Sequence, residues 1–256
     1  MRTGRSEAVV LVCAGVVRKQ TDLWTSYGVV DVAIAERRKG GLKQVMPWKQ
    51  ASRERDGSLR TDEVSVRLSD LDGDGKPEVS VLCRSYSAQT GPSRVWVGME
   101  IGGKWRAAGV ADSEYPFDLV RGPNGTRSWR GSYRIGGRSR RHNHEKWLDY
   151  YGVVRGRLIP IPQRFRRAYA AIARRLARDV RDDPDAELWV HLAMARRILG
   201  MRGESRRAAS RALDLARRDR QESFRLMKSD DENDVWIIQQ AKAILGTAAG
   251  SPASKP

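Results

Sequence analysis

At 256 residues the chain exceeds the usual size of one domain, so two domains are the natural expectation. Apolar residues make up 40% of it, enough for packed cores, yet no apolar run approaches the roughly 20 residues that cross a bilayer, which excludes a membrane-spanning helix. Lys and Arg outnumber Asp and Glu by 48 to 31, a formal net charge of +17 that attracts anions without selecting one.

Residues 1–17 have the outline of a short signal peptide, with Arg2 and Arg5 ahead of the apolar run 8–17. Glu7 interrupts the charged flank, no small-x-small cleavage pattern follows, and Val12 precedes Cys13 where a lipoprotein signal needs a small residue. A first β-strand is therefore the preferred reading. From residue 8 to about 160 the apolar runs are short, β-branched and separated by turn residues, the pattern of strands. Strands are expected over 9–17, 29–35 and 42–48, with Lys39, Gly40 and Gly41 turning between the last two. Val64, Val66 and Leu68 alternate with polar neighbours, as do Val79 and Val81, which places each set on one face of a strand. Val95, Val97 and Met99 repeat the alternation, and Gly102 and Gly103 permit a tight turn into Trp105. Pro123, Asn124 and Gly125 mark another turn, followed by strands over 129–135 and 147–154. Connections this short cannot carry parallel crossovers, so the sheet pairing should be mostly antiparallel. Cys13 and Cys83 both fall inside strand runs, as buried thiols or, in an oxidising compartment and on neighbouring strands, as a disulfide.

At Ile161 the period changes from two to nearly four. Phe165, Ala168, Tyr169, Ile172, Leu176 and Val180 form an apolar stripe at helical spacing that Pro184 terminates. Helices are expected next over 186–199 and 204–216, separated by Gly200 and Gly203, and finally over 235–245. The small, polar end of the chain is expected to be a disordered tail. The organisation that follows is α+β: a β-rich domain over 1–160, an α-helical module over 161–246 and a tail over 247–256.

The segment DLDGDGKPE places Asp70, Asp72, Asp74 and Glu78 within nine residues of an otherwise basic chain. Two carboxylates about 4 Å apart repel by roughly 4 kcal/mol at an effective dielectric of 20, a repulsion that a bound cation removes. Gly73 and Gly75 permit a backbone path that folds oxygens inward, and a hard ion with six to eight oxygen ligands suits such a loop. The spacing matches the early positions of an EF-hand loop, but Val81 stands where the bidentate Glu belongs, and the flanks alternate like strands. The segment 64–82 instead resembles the calcium loops of FG-GAP and VCBS-type repeat proteins, found in integrin α-chain propellers and many bacterial surface proteins. That resemblance implies Ca²⁺ held by Asp70, Asp72, Asp74 and Glu78 with the Lys76 carbonyl contributing. The FG and GAP sequences themselves are absent, and no second acidic loop accompanies the first, so a complete multi-bladed propeller is not implied.

The helical segment AELWVHLAMARRILGMRGESRRAASRALDL resembles a tetratricopeptide repeat, with Trp189, Leu192, Ala193, Gly200, Ala209, Ala212 and Leu213 at the packing positions. Ser205 stands where that family has Ala, and Arg196 where it has an aromatic residue. One repeat cannot bury its own face, so the flanking helices must complete the stack. The resemblance implies a protein partner in a concave groove; Trp189 reads as core, and Arg206, Arg207 and Arg211 as a solvated face.

His142 and His144 alternate on a strand and could share a metal, with His191 the remaining imidazole, although a basic surface loop is the simpler reading. No phosphate-binding Gly-rich loop and no nucleophile elbow is present, so binding is expected over catalysis. Two functions remain. The first is a noncatalytic calcium-binding protein with a protein-interaction module, working where calcium is plentiful, outside the cytoplasm. The second is a nucleic-acid or anionic-surface binder using the basic run 121–157, with Arg130, Arg134, Arg138, Arg140 and Arg141 on phosphates and Trp129 and Tyr133 for stacking.

Overall fold

The computed structural model describes residues 7–19, 25–38, 41–53, 61–85, 91–122, 125–135, 146–182, 184–227 and 232–246. The fold is α+β, with eleven strands in three antiparallel sheets and four α-helices among the described residues. The chain divides into two units, one of Met1–Tyr133 with Leu148–Ile161 and one of Arg134–Trp147 with Pro162–Pro256. Among the described residues no helix is long and apolar enough to cross a membrane.

In the first unit, β1 (Glu7–Lys19), β2 (Thr25–Arg38) and β3 (Gly41–Arg53) form one sheet in chain order. β4 (Glu63–Ser69), β5 (Glu78–Arg84), β6 (Ser93–Ile101) and β7 (Lys104–Ser113) form the second. β8 (Asp118–Arg121), β9 (Arg127–Arg134), β10 (Lys146–Val154) and β11 (Arg157–Pro160) form the third, in the order β11-β10-β9-β8. The hairpins β4–β5, β6–β7, β8–β9 and β10–β11 pair antiparallel, because such short connections have no length to cross over, whereas the four residues between β7 and β8 carry the chain from the second sheet to the third. Gly102 and Gly103, both at positive φ, make the two-residue turn that pairs Ile101 with Lys104, the hairpin expected from the sequence.

β5 organises the unit. Its residues alternate as a strand must, so Val79, Val81 and Cys83 face one side and Ser80 and Leu82 the other. The first three pack with Val30, Val32, Ile34, Met46 and Ala51 of β2 and β3 and with Trp96 of β6. Leu82 joins Val95, Val97, Met99, Phe117, Trp129 and Val153 in a second cluster on the opposite face. Both faces are therefore covered, and this explains why the run VSVLC is nearly continuous in apolar character. Ser80 is the polar exception, and its hydroxyl accepts from the Trp129 indole N–H at 3.0 Å, so the buried oxygen is satisfied. By contrast Val66 and Leu68 of β4, on the edge of the sheet, are 43% and 62% exposed: their alternation marks a strand face that the other sheets leave uncovered.

The second unit is helical. A 3-10 turn at Pro162–Phe165 leads into α1 (Arg166–Asp182), which buries Tyr169, Ile172, Ala173, Leu176 and Val180 along one stripe. α2 (Ala186–Ile198) starts where Asp185 accepts the N–H groups of Glu187 at 2.7 Å and Leu188 at 3.3 Å, an N-cap that satisfies two of the helix's unpaired donors. Gly200 at positive φ ends the second helix and opens the turn to α3 (Arg202–Met227). Ser205 lies buried at the crossing of these two helices, its hydroxyl donating to the Ala193 carbonyl at 2.8 Å. α4 (Glu232–Leu245) completes the unit. Trp147, Tyr169, His191 and Trp236 stack around its centre with ring centroids 5.2 to 5.5 Å apart along the contacts Trp147–Tyr169, Trp147–His191 and His191–Trp236.

Two of the sequence expectations change. α3 runs on to Met227, beyond the expected end at residue 216, because helix-forming Arg, Gln and Glu continue the helix where apolar periodicity has stopped. β8 and β11 are additional strands of four residues each, too short to show a period. The strand expected over 9–17 is present as β1, which pairs with β2 from Glu7 to Lys19. Cys83 is a free, buried thiol whose pKa burial pushes up to about 12, while the Cys13 side chain lies outside the described residues. The expected tail and the pair His142 and His144 also fall outside the described residues.

Candidate metal centre

The acidic segment forms the connection between β4 and β5, with Ser69 pairing with Glu78 at its base. Gly73 and Gly75 adopt φ of +89° and +82°, a left-handed conformation that favours glycine, and they turn the chain back on itself. The side chains then cap the loop's own amides. Asp70 accepts from the N–H of Gly73 at 2.6 Å through one oxygen and of Gly75 at 3.1 Å through the other. Asp72 accepts from Asp74 N–H at 3.0 Å, and Asp74 from Lys76 N–H at 2.8 Å. These Asx bonds explain why aspartates, with their short reach, occupy alternate positions of the bend.

The loop is braced from the turn between β8 and β9. Arg127 N–H donates to the Asp70 carbonyl at 2.9 Å, and Gly122 N–H to the Thr126 carbonyl at 2.7 Å closes that turn. The approach is close enough that a Cβ on Gly73 would sit 3.0 Å from the Thr126 methyl. Thr126 and Arg127 therefore belong to the site's support, and their place beside the acidic bend is set by tertiary structure alone.

Of the residues assigned to calcium, Asp70, Asp72 and Glu78 each present a carboxylate oxygen within 4.8 Å of the others. Ligands about 2.4 Å from one ion can be no farther apart than about 4.8 Å, so the spacing suits a single Ca²⁺. Asp74 stands outside this triad and is exposed, as is Lys76. Glu78 differs from the three aspartates in being only 3% exposed. One of its oxygens accepts the Leu71 N–H at 2.5 Å. Burial, followed by the negative charges of Asp72, Asp70 and Asp74, outweighs that bond and pushes its carboxyl up from 4.5 to about 7. Asp72 is raised in the same direction, by burial first and then by the charges of Asp74 and Asp70. A buried carboxylate surrounded by like charge is the environment that a divalent cation relieves, and an all-oxygen donor set matches a hard ion.

The basic run 121–157 has a different arrangement from the one its sequence suggests. Trp129 is 1% exposed with its indole N–H on Ser80, so it offers no face for stacking; β-sheet packing, not solvent, receives the large ring. Tyr133 donates its hydroxyl to the Asp112 carbonyl, and Arg130 pairs with Asp118 at 2.7 Å. Arg138, Arg140 and Arg141 lie outside the described residues. His191 is 3% exposed, with Nδ1 2.8 Å from the Glu187 carbonyl. No family model, curated protein or solved structure matches the chain.

Proposed function

We propose that this chain is a noncatalytic calcium-binding protein. In this reading Ca²⁺ is held by the side chains of Asp70, Asp72, Asp74 and Glu78 with the Lys76 carbonyl, and it fixes the bend from which β5 enters the core. The convergence of the Asp70, Asp72 and Glu78 oxygens carries the proposal. Their number and spacing suit six to eight oxygen ligands completed by water, and the buried Glu78 charge gains most from a cation. Because Val81 stands where an EF-hand has its bidentate Glu, the affinity should be that of extracellular sites, in the range of about 10⁻⁴ to 10⁻³ M, suited to work outside the cytoplasm.

The helical unit, in the same reading, is a tetratricopeptide-like module that holds a protein partner. Its support is the α2-turn-α3 hairpin with small residues Ala193, Ala209 and Ala212 fully buried and Gly200 at the turn.

Isothermal titration of the purified chain with CaCl₂ tests the metal site. Wild type should give saturable heat that Asp70→Ala and Asp72→Ala abolish. Equal heats from all three proteins would show that calcium binds elsewhere or not at all.

A further inference from the structure

In the second unit, α1 has two unlike faces. Opposite the buried stripe, Arg167, Arg174, Arg178 and Arg181 are all exposed. At 3.6 residues per turn these positions fall within about 60° of one another around the axis and extend about 21 Å along it. Ala171, also exposed, lies in the same row and leaves room for close approach. Three other arginines of the unit are committed internally: Arg166 donates to the Leu199 carbonyl, Arg197 to the Ala243 carbonyl at 3.1 Å, and Arg196 lies 3.5 Å from Glu204. Among the described residues, none of the four side chains in the row is tied to a carboxylate or a carbonyl of the chain.

We propose that this row is a docking surface for double-stranded nucleic acid, holding its phosphate backbone without reading its sequence. The guanidinium fork matches two phosphate oxygens at once. A duplex carries one charge per about 1.7 Å of axis, so a row about 21 Å long always meets phosphates regardless of register. A single strand is the poorer fit, because its bases are held by stacking and the described outer face of α1 exposes no aromatic ring. A lipid surface is poorer too, since that face exposes no large apolar side chain to enter the headgroup layer.

Fluorescence anisotropy of a labelled duplex of about 20 bp, titrated with the full chain over a range of salt concentrations, tests this. Replacing two phosphate contacts by Arg174→Gln/Arg178→Gln should make the slope of log K against log salt shallower by about 1.8. Affinity at low salt should fall tenfold or more, and Arg167→Gln/Arg181→Gln should reproduce both losses. Arg206→Gln/Arg207→Gln removes the same charge from exposed positions on α3 and should leave slope and affinity close to wild type. Equal losses from the α1 and α3 variants would reduce the effect to net charge and overturn the proposal. Failure to bind duplex, or tighter binding to anionic vesicles or to single strands at equal charge concentration, would also overturn it. Circular dichroism at 222 nm verifies that each variant is folded.

Discussion

Replacing Glu78 by Gln should stabilise the calcium-free protein at alkaline pH, an advantage that saturating calcium should largely erase. The wild-type carboxyl titrates at about 7 in the folded chain against 4.5 when free, a difference in proton affinity that corresponds to about 3 kcal/mol. The folded state thus holds the proton more tightly than the unfolded state. In chelator, stability should fall as pH rises from about 4.5, with the full penalty present above about 7. Gln keeps an oxygen for the Leu71 N–H but carries no charge, so at pH 8 with EDTA it should exceed wild type by up to about 3 kcal/mol and at pH 4.5 by almost nothing. Calcium at a hundred times its dissociation constant adds about 2.7 kcal/mol to wild type and little to a variant lacking one ligand. Urea unfolding followed by tryptophan fluorescence reads each of these conditions. A Gln variant less stable than wild type in EDTA at pH 8 would refute the account of a strained buried charge, and a stability gap that calcium leaves unchanged would refute its relief by the metal.

Trp129→Phe should destabilise the β-rich unit by about 1–3 kcal/mol, because it leaves the Ser80 hydroxyl buried without its indole partner. Adding Ser80→Ala should recover part of that loss, which a double-mutant cycle in urea measures. Asp185→Ala should cost about 1 kcal/mol by uncapping α2, seen as a lower midpoint in thermal melts followed at 222 nm; an unchanged midpoint would show that the observed cap contributes nothing net.

The sequence pattern gave access to much of this fold because local and global requirements agree along most of it. Alternation located β4, β5 and β6, diglycine located the turn after Ile101, and the stripe from Tyr169 to Val180 located the buried face of α1. What alternation could not reveal is how many faces of a strand are covered. Val79 and Val81 look like one buried face, yet Ser80 and Leu82 are equally buried, whereas Val66 and Leu68 share a face that stays largely in water. The acidic bend was legible as a cluster of like charge, but the feature that sets Glu78 apart, its burial, depends on packing that no local spacing encodes. Trp129 shows the same limit in reverse: among arginines it reads as a stacking platform, and the sheet hides it. β8 and β11 escaped because four residues complete too few repeats to stand out from a loop.

Glu78 is at once the deepest carboxylate of the acidic bend and the first residue of the strand shared by both hydrophobic clusters. A disturbance there has no outer layer in which to dissipate, since the next five residues are the seam between two separate interiors. Such a bend acts as a keystone: its release would loosen the unit from the middle outward, and amide protons of β5 would register the event as soon as those of the bend itself.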